Sequence, residues 1–246
     1  VGTIIWRIES RIVMPKSSHC AGQNIRELAR KRRVKAIAAF AAAGGVVVFP
    51  ILLLRAIDNF LKQLPALSSV PQPIPDNALL GLYLLIAIAA SGLVLQGVFL
   101  WKRANRADQG AQGEEAVAQE MTQLEREGWQ VEYNLRLGGR LGDADIVCIS
   151  PQNKAYVIDV KSHRGDIITD GQQLYRQMGK ATYEFEKNFL EQALKQALQV
   201  KKQKNLNFVT PIVAFSNGRV AIASGKLQKV YVVEKSRLVW LLKSLG

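Results

Sequence analysis

The sequence predicts an α/β domain with the element order αβββαβ and a mixed central sheet, preceded by a transmembrane helical hairpin. Two uncharged apolar runs, 36–54 and 78–101, fall within the first 101 of 246 residues. The rest of the chain alternates apolar stretches of period two with stretches of helical period. At its centre GDADIVCISPQNKAYVIDVKSHRG (142–165) reads as two strands joined by a tight turn at 151–153.

The apolar runs are nineteen and twenty-four residues long. As helices they would span roughly 28 and 36 Å, against a hydrocarbon core of about 30 Å. Polar Ser91 and Gln96 interrupt the second run, and the first contains Gly44, Gly45 and Pro50. Glycine, alanine and serine in both runs favour close helix packing. A buried hairpin in a soluble domain is the alternative, but a chain of this size has little to bury two such runs. Arg26, Arg30, Lys31, Arg32, Arg33 and Lys35 precede the first run, and Lys102, Arg103 and Arg106 follow the second. The connector 55–77 sets Arg55 and Lys62 against Asp58 and Asp76. Positive charge stays inside, so both termini are expected in the cytoplasm of a bacterium-like cell, with the Pro-rich connector outside its inner membrane.

The expected division is therefore a basic N-terminal segment (1–33), two membrane helices (34–101), a linker (102–112) and a cytoplasmic domain (113–246). Residues 1–25 suit a short strand or an interfacial helix anchored by Trp6, without the layout of a secretory signal. The formal charge is +13, with eleven Lys/Arg against four Asp/Glu up to residue 101 and twenty-two against sixteen after it. Contact with polyanions fits this excess, although its N-terminal share is largely an orientation signal. Cys20 and Cys148 form no C-x-x-C, and His19 and His163 no H-x-x-x-H, so neither a disulfide framework nor a zinc cluster is expected. His163 follows Lys161 closely enough to approach a phosphate, or else is a surface histidine.

In the cytoplasmic part, Val117, Met121 and Leu124 make one stripe of a helix over 114–127, with Glu114 at its start. A strand over 129–136 leads through GGRLG into the two central strands. After Lys161 a loop carrying Arg164 is expected, then a long helix over 183–205, a strand over 208–215, a hairpin around 219–233 and a final helix from Ser236. Gln192, Gln196 and Gln199 form a polar row on the long helix, and solvation is the ordinary account of such a row.

Asp143 and Asp145 share the parity of Val147 and Ile149 on the first central strand, and Asp159 shares that of Lys161 on the second. Carboxylates beside a lysine at the ends of apolar strands are costly unless a cation or hydrogen bonds use them. They suit a Mg²⁺ site for phosphodiester hydrolysis, in which carboxylate oxygens hold the ion and lysine offsets phosphate charge. The plainer alternative is that Asp159 and Lys161 are exposed ends of an edge strand. Glu114 is likewise either a site acid or a first-turn partner of the helix dipole.

GAQGEEAV (110–117), the central stretch 142–165, NFLEQAL (188–194) and VTPIVAFS (209–216) resemble, in order and spacing, the nuclease-related domain (NERD) family, a branch of the PD-(D/E)xK endonuclease-like proteins. The resemblance implies a restriction-endonuclease-like core. It also implies a Mg²⁺ site, with Mn²⁺ as a substitute, held by Asp145, Asp159, the Val160 carbonyl and Glu114 through water. The catalytic set it implies is Glu114, Asp145, Asp159, Lys161 and Gln192. Two positions depart from the family pattern: Asp159 stands where glutamate is usual, and Phe189 where the proline before the glutamine helix would be.

These expectations add up to a membrane-anchored, Mg²⁺-dependent deoxyribonuclease. Arg164 is expected to border the DNA channel, and Lys195, Lys201, Lys202 and Lys204 either contact phosphates or simply favour a helix C-terminus. DNA is the expected partner, with RNA, a homo-oligomer and a membrane partner left open. The rival functions are a non-enzymatic nucleic-acid or protein-binding module on the same fold and a membrane scaffold that binds a partner protein.

Overall fold

The computed structural model describes residues 21–63, 76–138 and 141–246. The expected interfacial segment with Trp6 and His19, most of the Pro-rich connector, and Gly139 with Arg140 lie outside them. The chain forms two compact units, Arg26–Asp108 and a second made of Val1–Ile25 with Gln109–Gly246.

The first unit consists of helix α1 (Gln23–Lys62) and the greater part of helix α2 (Asp76–Arg126). Both are long and apolar enough to cross a membrane. Their large apolar side chains point outward, Leu85, Ile88 and Leu95 among them, while the buried hydrophobic residues among those described are the alanines Ala29, Ala36, Ala39, Ala43 and Ala104. The ring of Phe40 passes close to Gly97: a Cβ added there would lie 2.5 Å from Phe40 Cε1. Beyond the apolar stretches Arg33 pairs with Asp108 and sits 5.8 Å from the Trp101 ring centre.

The expected apolar spans are the middles of these longer helices. Residues 102–112, expected as a linker, are helical within α2. Ala104, Ala107, Gln109 and Ala111 carry enough helix propensity to outweigh Gly110.

The second unit is built on an eight-stranded mixed sheet. Its strands are β1 (Gln130–Arg136), β2 (Asp143–Ile149), β3 (Ala155–Thr169), β4 (Leu174–Met178), β5 (Ala181–Glu184), β6 (Val209–Val220), β7 (Lys226–Leu227) and β8 (Val230–Glu234). The order is β1-β2-β3-β6-β8-β7, with β4 on β3 and β5 on β4. The first three strands are antiparallel, whereas β3, β6 and β8 run parallel. With the end of α2, helix α3 (Phe189–Gln203) and helix α4 (Lys235–Leu245), this is the α/β architecture expected, with strands added to the αβββαβ core.

Alternation sorts the faces. Ile146, Tyr156, Ile158 and Ile212 pack under Val117, Met121 and Leu124 of α2 and Leu238 and Leu242 of α4. Val147, Ile149, Val157 and Val213, of opposite parity, pack beneath α3 through Ala193, Ala197 and Val200. The turn at 151–153 is present, with Asn153 in a left-handed conformation and Ser150 N–H bonding the Lys154 carbonyl.

Two expectations fail between 162 and 188. The loop after Lys161 is instead the second half of β3, followed by the β4–β5 hairpin. Helix α3 starts at Phe189 rather than 183, because Asn188 caps it, its side chain accepting from Glu191 N–H, while 181–184 are paired as β5. Further on, β6 runs to Val220, and the last hairpin is the short β7–β8 pair.

Candidate functional site

The site lies where β2 and β3 part. Their pairing runs from Ile149↔Ala155 to Ile146↔Ile158. Beyond it the Asp145 carboxylate replaces the neighbouring strand, its Oδ2 accepting the Val160 N–H at 2.6 Å. Because the N–H and C=O of one strand residue point the same way, the Val160 carbonyl faces the same gap. One residue earlier on β3, Asp159 is 2 % exposed. Its Oδ2 is 2.6 Å from Lys161 Nζ, and its Oδ1 accepts from Gln192 Nε2 at 3.2 Å and Gln196 Nε2 at 3.5 Å. Lys161 Nζ also lies 4.7 Å from the centre of the Phe189 ring. Phe189, where the resemblance leads one to expect proline, thus forms the wall behind the lysine.

Glu114 reaches the gap from α2. What lets the helix come so close is Gly113, where an added Cβ would sit 2.7 Å from Ser216 Oγ and 3.0 Å from Ser162 Cβ. Just before it Gln109 donates to the Ser162 carbonyl at 3.3 Å. Ser162 and His163 together face one residue of β6, since the register slips between Lys161 and Arg164. Glu114 is 5 % exposed and accepts the Gly22 N–H at 3.1 Å.

Burial raises the pKa of all three acids. Glu114 is pushed up to about 7 by desolvation, with Asp159 adding repulsion and the Gly22 N–H opposing. Asp145 is raised well above the carboxylate range by burial and then by the charges of Asp159 and Glu114. Asp159 is raised by burial against the pull of Lys161. These mutual effects bring Glu114, Asp145, Asp159 and Lys161 together as one electrostatic group. One lysine does not balance three carboxylates, and the hard oxygens of Asp145, Asp159, Glu114 and the Val160 carbonyl are donors of the kind a divalent cation such as Mg²⁺ takes. Among the described residues no three His, Cys, Asp or Glu side chains already form a metal-binding cluster. The donor chemistry fits the ion, but the side chains are not closed around a point.

The glutamine row is not a solvated face. Gln192 and Gln196 donate to Asp159, Gln196 also to the Asp143 carbonyl at 3.4 Å, Gln199 to Leu137 O at 2.9 Å and Gln203 to Arg136 O at 3.1 Å. The amides thus tie α3 to both sides of the β1–β2 connection. Gln196, 1 % exposed, is a site residue that its spacing alone did not distinguish.

The expected phosphate contacts divide. Arg164 is exposed on β3, in register with Asn217. Lys201 and Lys202 are exposed in the last turn of α3, and Lys195 pairs with Glu191 one turn away at 2.6 Å. Lys204 is drawn inward to Glu132 at 2.5 Å, both side chains largely buried. His163 is half-buried between Phe185 and Phe189, and burial lowers its pKa. Cys148 is fully buried, its thiol pushed up by desolvation. A cavity of about 730 Å³ lies instead at the start of β3, lined by Lys154, Tyr156, Lys204 and Phe208. It contains none of the carboxylates.

No curated protein matches the chain. Residues 109–216, which hold Glu114, Asp145, Asp159, Lys161 and Gln192, match the family model of the nuclease-related domain, NERD.

Proposed function

We propose that the protein is a membrane-anchored, metal-dependent nuclease that hydrolyses phosphodiester bonds of DNA. The observation that carries this reading is the Asp145 carboxylate bonded to Val160 N–H in the β2–β3 gap, beside the buried Asp159–Lys161 pair. Asp145, Asp159 and the Val160 carbonyl are the residues to hold Mg²⁺ or Mn²⁺, with Glu114 reaching it through water. Once bound, such an ion supplies an activated water and offsets charge on the phosphate. Lys161 brings a cation to the reacting phosphate and orients the attacking oxygen, while Phe189 limits where its amine can go. Gln192 and Gln196 hold Asp159 in place, and Arg164, Lys201 and Lys202 offer cations to the backbone of a nucleic acid. RNA is open to the same chemistry.

The full-length protein in detergent provides the test, with DNA cleavage and Mn²⁺ binding measured side by side. Lys161→Ala removes the cation and leaves the carboxylates, so cleavage falls by about 10² or more while Mn²⁺ stays bound. Asp159→Asn abolishes both. Wild-type protein that binds DNA without turnover in Mg²⁺ or Mn²⁺ sinks the nuclease reading. The Asp159–Lys161 ion pair favours that second reading, a binding module, since it already neutralises part of the site.

The anchor is α1 with α2, both termini on the cytoplasmic side, as the flanking charges require. Labelling from outside the cell at Ser69→Cys and failing at Ser244→Cys is the expected pattern, and the reverse removes the domain from chromosomal DNA.

A further inference from the structure

Gly22 and Ile25, at the start of α1, belong to the same compact unit as the sheet. Gly22 has φ +73°, a conformation suited to glycine, and a Cβ there would lie 2.9 Å from Ala111 O and 3.3 Å from Glu115 Cγ. Ala111 is fully buried, and a Cβ at Gly110 would be 4.0 Å from Ile25 Cγ2. The small residues of GAQGEE therefore serve two contacts. Gly113 lets the sheet in at Ser162 and Ser216, while Gly110 and Ala111 let Gly22 and Ile25 lie against the helix. What this close approach delivers is the Gly22 N–H, 3.1 Å from Glu114 Oε2. A carboxylate this buried needs such a donor to remain near its neighbours as an anion.

We infer that Gly22 is a positioning residue of the candidate site: its backbone N–H holds the Glu114 carboxylate at the β2–β3 gap, so residues ahead of the first apolar helix complete a site otherwise contained in 109–216. The contact stands on its own geometry, whereas its effect on metal binding rests on the function proposed above. A fragment beginning after α1 lacks this donor.

Two measurements on the full chain in detergent test it, both without activity. In hydrogen exchange the amide of residue 22 is protected in the wild type and exchanges at least about tenfold faster in Glu114→Ala, as loss of a bond to a charged acceptor predicts. For binding, Mn²⁺ alone is the probe. Gly22→Ala, whose Cβ meets Ala111 O, raises the Mn²⁺ dissociation constant by about tenfold. Glu114→Gln also raises it, and adding Gly22→Ala to Glu114→Gln changes it no further. An unprotected amide in the wild type, protection indifferent to Glu114, or a Gly22→Ala effect that persists beside Glu114→Gln overturns the inference. Glu114-dependent protection with no Mn²⁺ bound upholds the contact and refutes the metal reading instead.

Discussion

The two units sort the same residue types in opposite directions. In Arg26–Asp108 leucine and isoleucine face out and the buried hydrophobic residues are alanines such as Ala36, Ala39 and Ala43. In the sheet unit Ile146, Ile158 and Phe215 are fully buried, and Glu114 and Asp159 are buried with them. An outward apolar surface is what a bilayer solvates, and helices within it associate by close packing of small residues, as at Gly97 and Phe40. The sheet unit draws its stability from apolar burial, and only a core of that kind can hold carboxylates at raised pKa values. Charge is kept out of the apolar spans of one unit and buried inside the other.

The largest expected effect breaks or keeps this contrast directly. Phe215→Ala costs about 3–5 kcal/mol in denaturant unfolding of the sheet unit, whereas Leu95→Ala leaves that transition within about 0.5 kcal/mol. Equal losses would show that the units share one core. Next comes pH. Glu114 has its folded pKa raised to about 7 from an ordinary 4.5, so the native state keeps a proton that the unfolded chain has released. Its contribution to stability is full below about 4.5 and is lost as pH rises through about 7. The denaturation midpoint of metal-free protein therefore falls between pH 5 and 8, and Glu114→Gln flattens part of that fall. A flat wild-type profile would mean that the acid is not buried as a group.

Smaller effects sharpen the contrast within the sheet unit. Lys204→Ala leaves Glu132 buried without its cation and costs about 2–3 kcal/mol, while Lys201→Ala stays within about 0.5 kcal/mol. If Lys201 and Lys202 meet phosphates, neutralising each lowers the slope of log affinity against log salt by about 1. Asn188→Ala, which removes only the α3 cap, costs about 1 kcal/mol by thermal unfolding.

What could be read from sequence follows the range of each interaction. The membrane-length runs, the parity of Asp145 and Asp159 and the α2 stripe are local patterns, and they appear as read. The turns into and within the β4–β5 hairpin did leave local signals, Asp170-Gly171 between β3 and β4 and Gly179 between β4 and β5, but its polar strands do not alternate clearly. The start of α3 was legible too, since Asn188 followed by Glu191 is a capping pattern, and the aromatic run around it obscured the boundary. Lys204 and Glu132 are seventy-two positions apart, and the Gly22 N–H reaches ninety-two positions to Glu114, so no window on the chain contains either pair. The glutamine row looked solvated because its acceptors are Asp159, thirty-three positions before Gln192, and backbone carbonyls of residues 136, 137 and 143, which carry no mark in the sequence.

That row also bears on how this protein can change over generations. Gln192 meets Asp159, and Gln196, Gln199 and Gln203 meet the β1–β2 connection, only because all four lie near the same azimuth of α3. A single codon inserted after Gln192 would turn every later side chain by about 100° and aim three amides away from their carbonyls at once. Point substitutions can drift through the helix one bond at a time, but a length change there removes the whole set, so insertions should accumulate in the surface turns and be purged from α3.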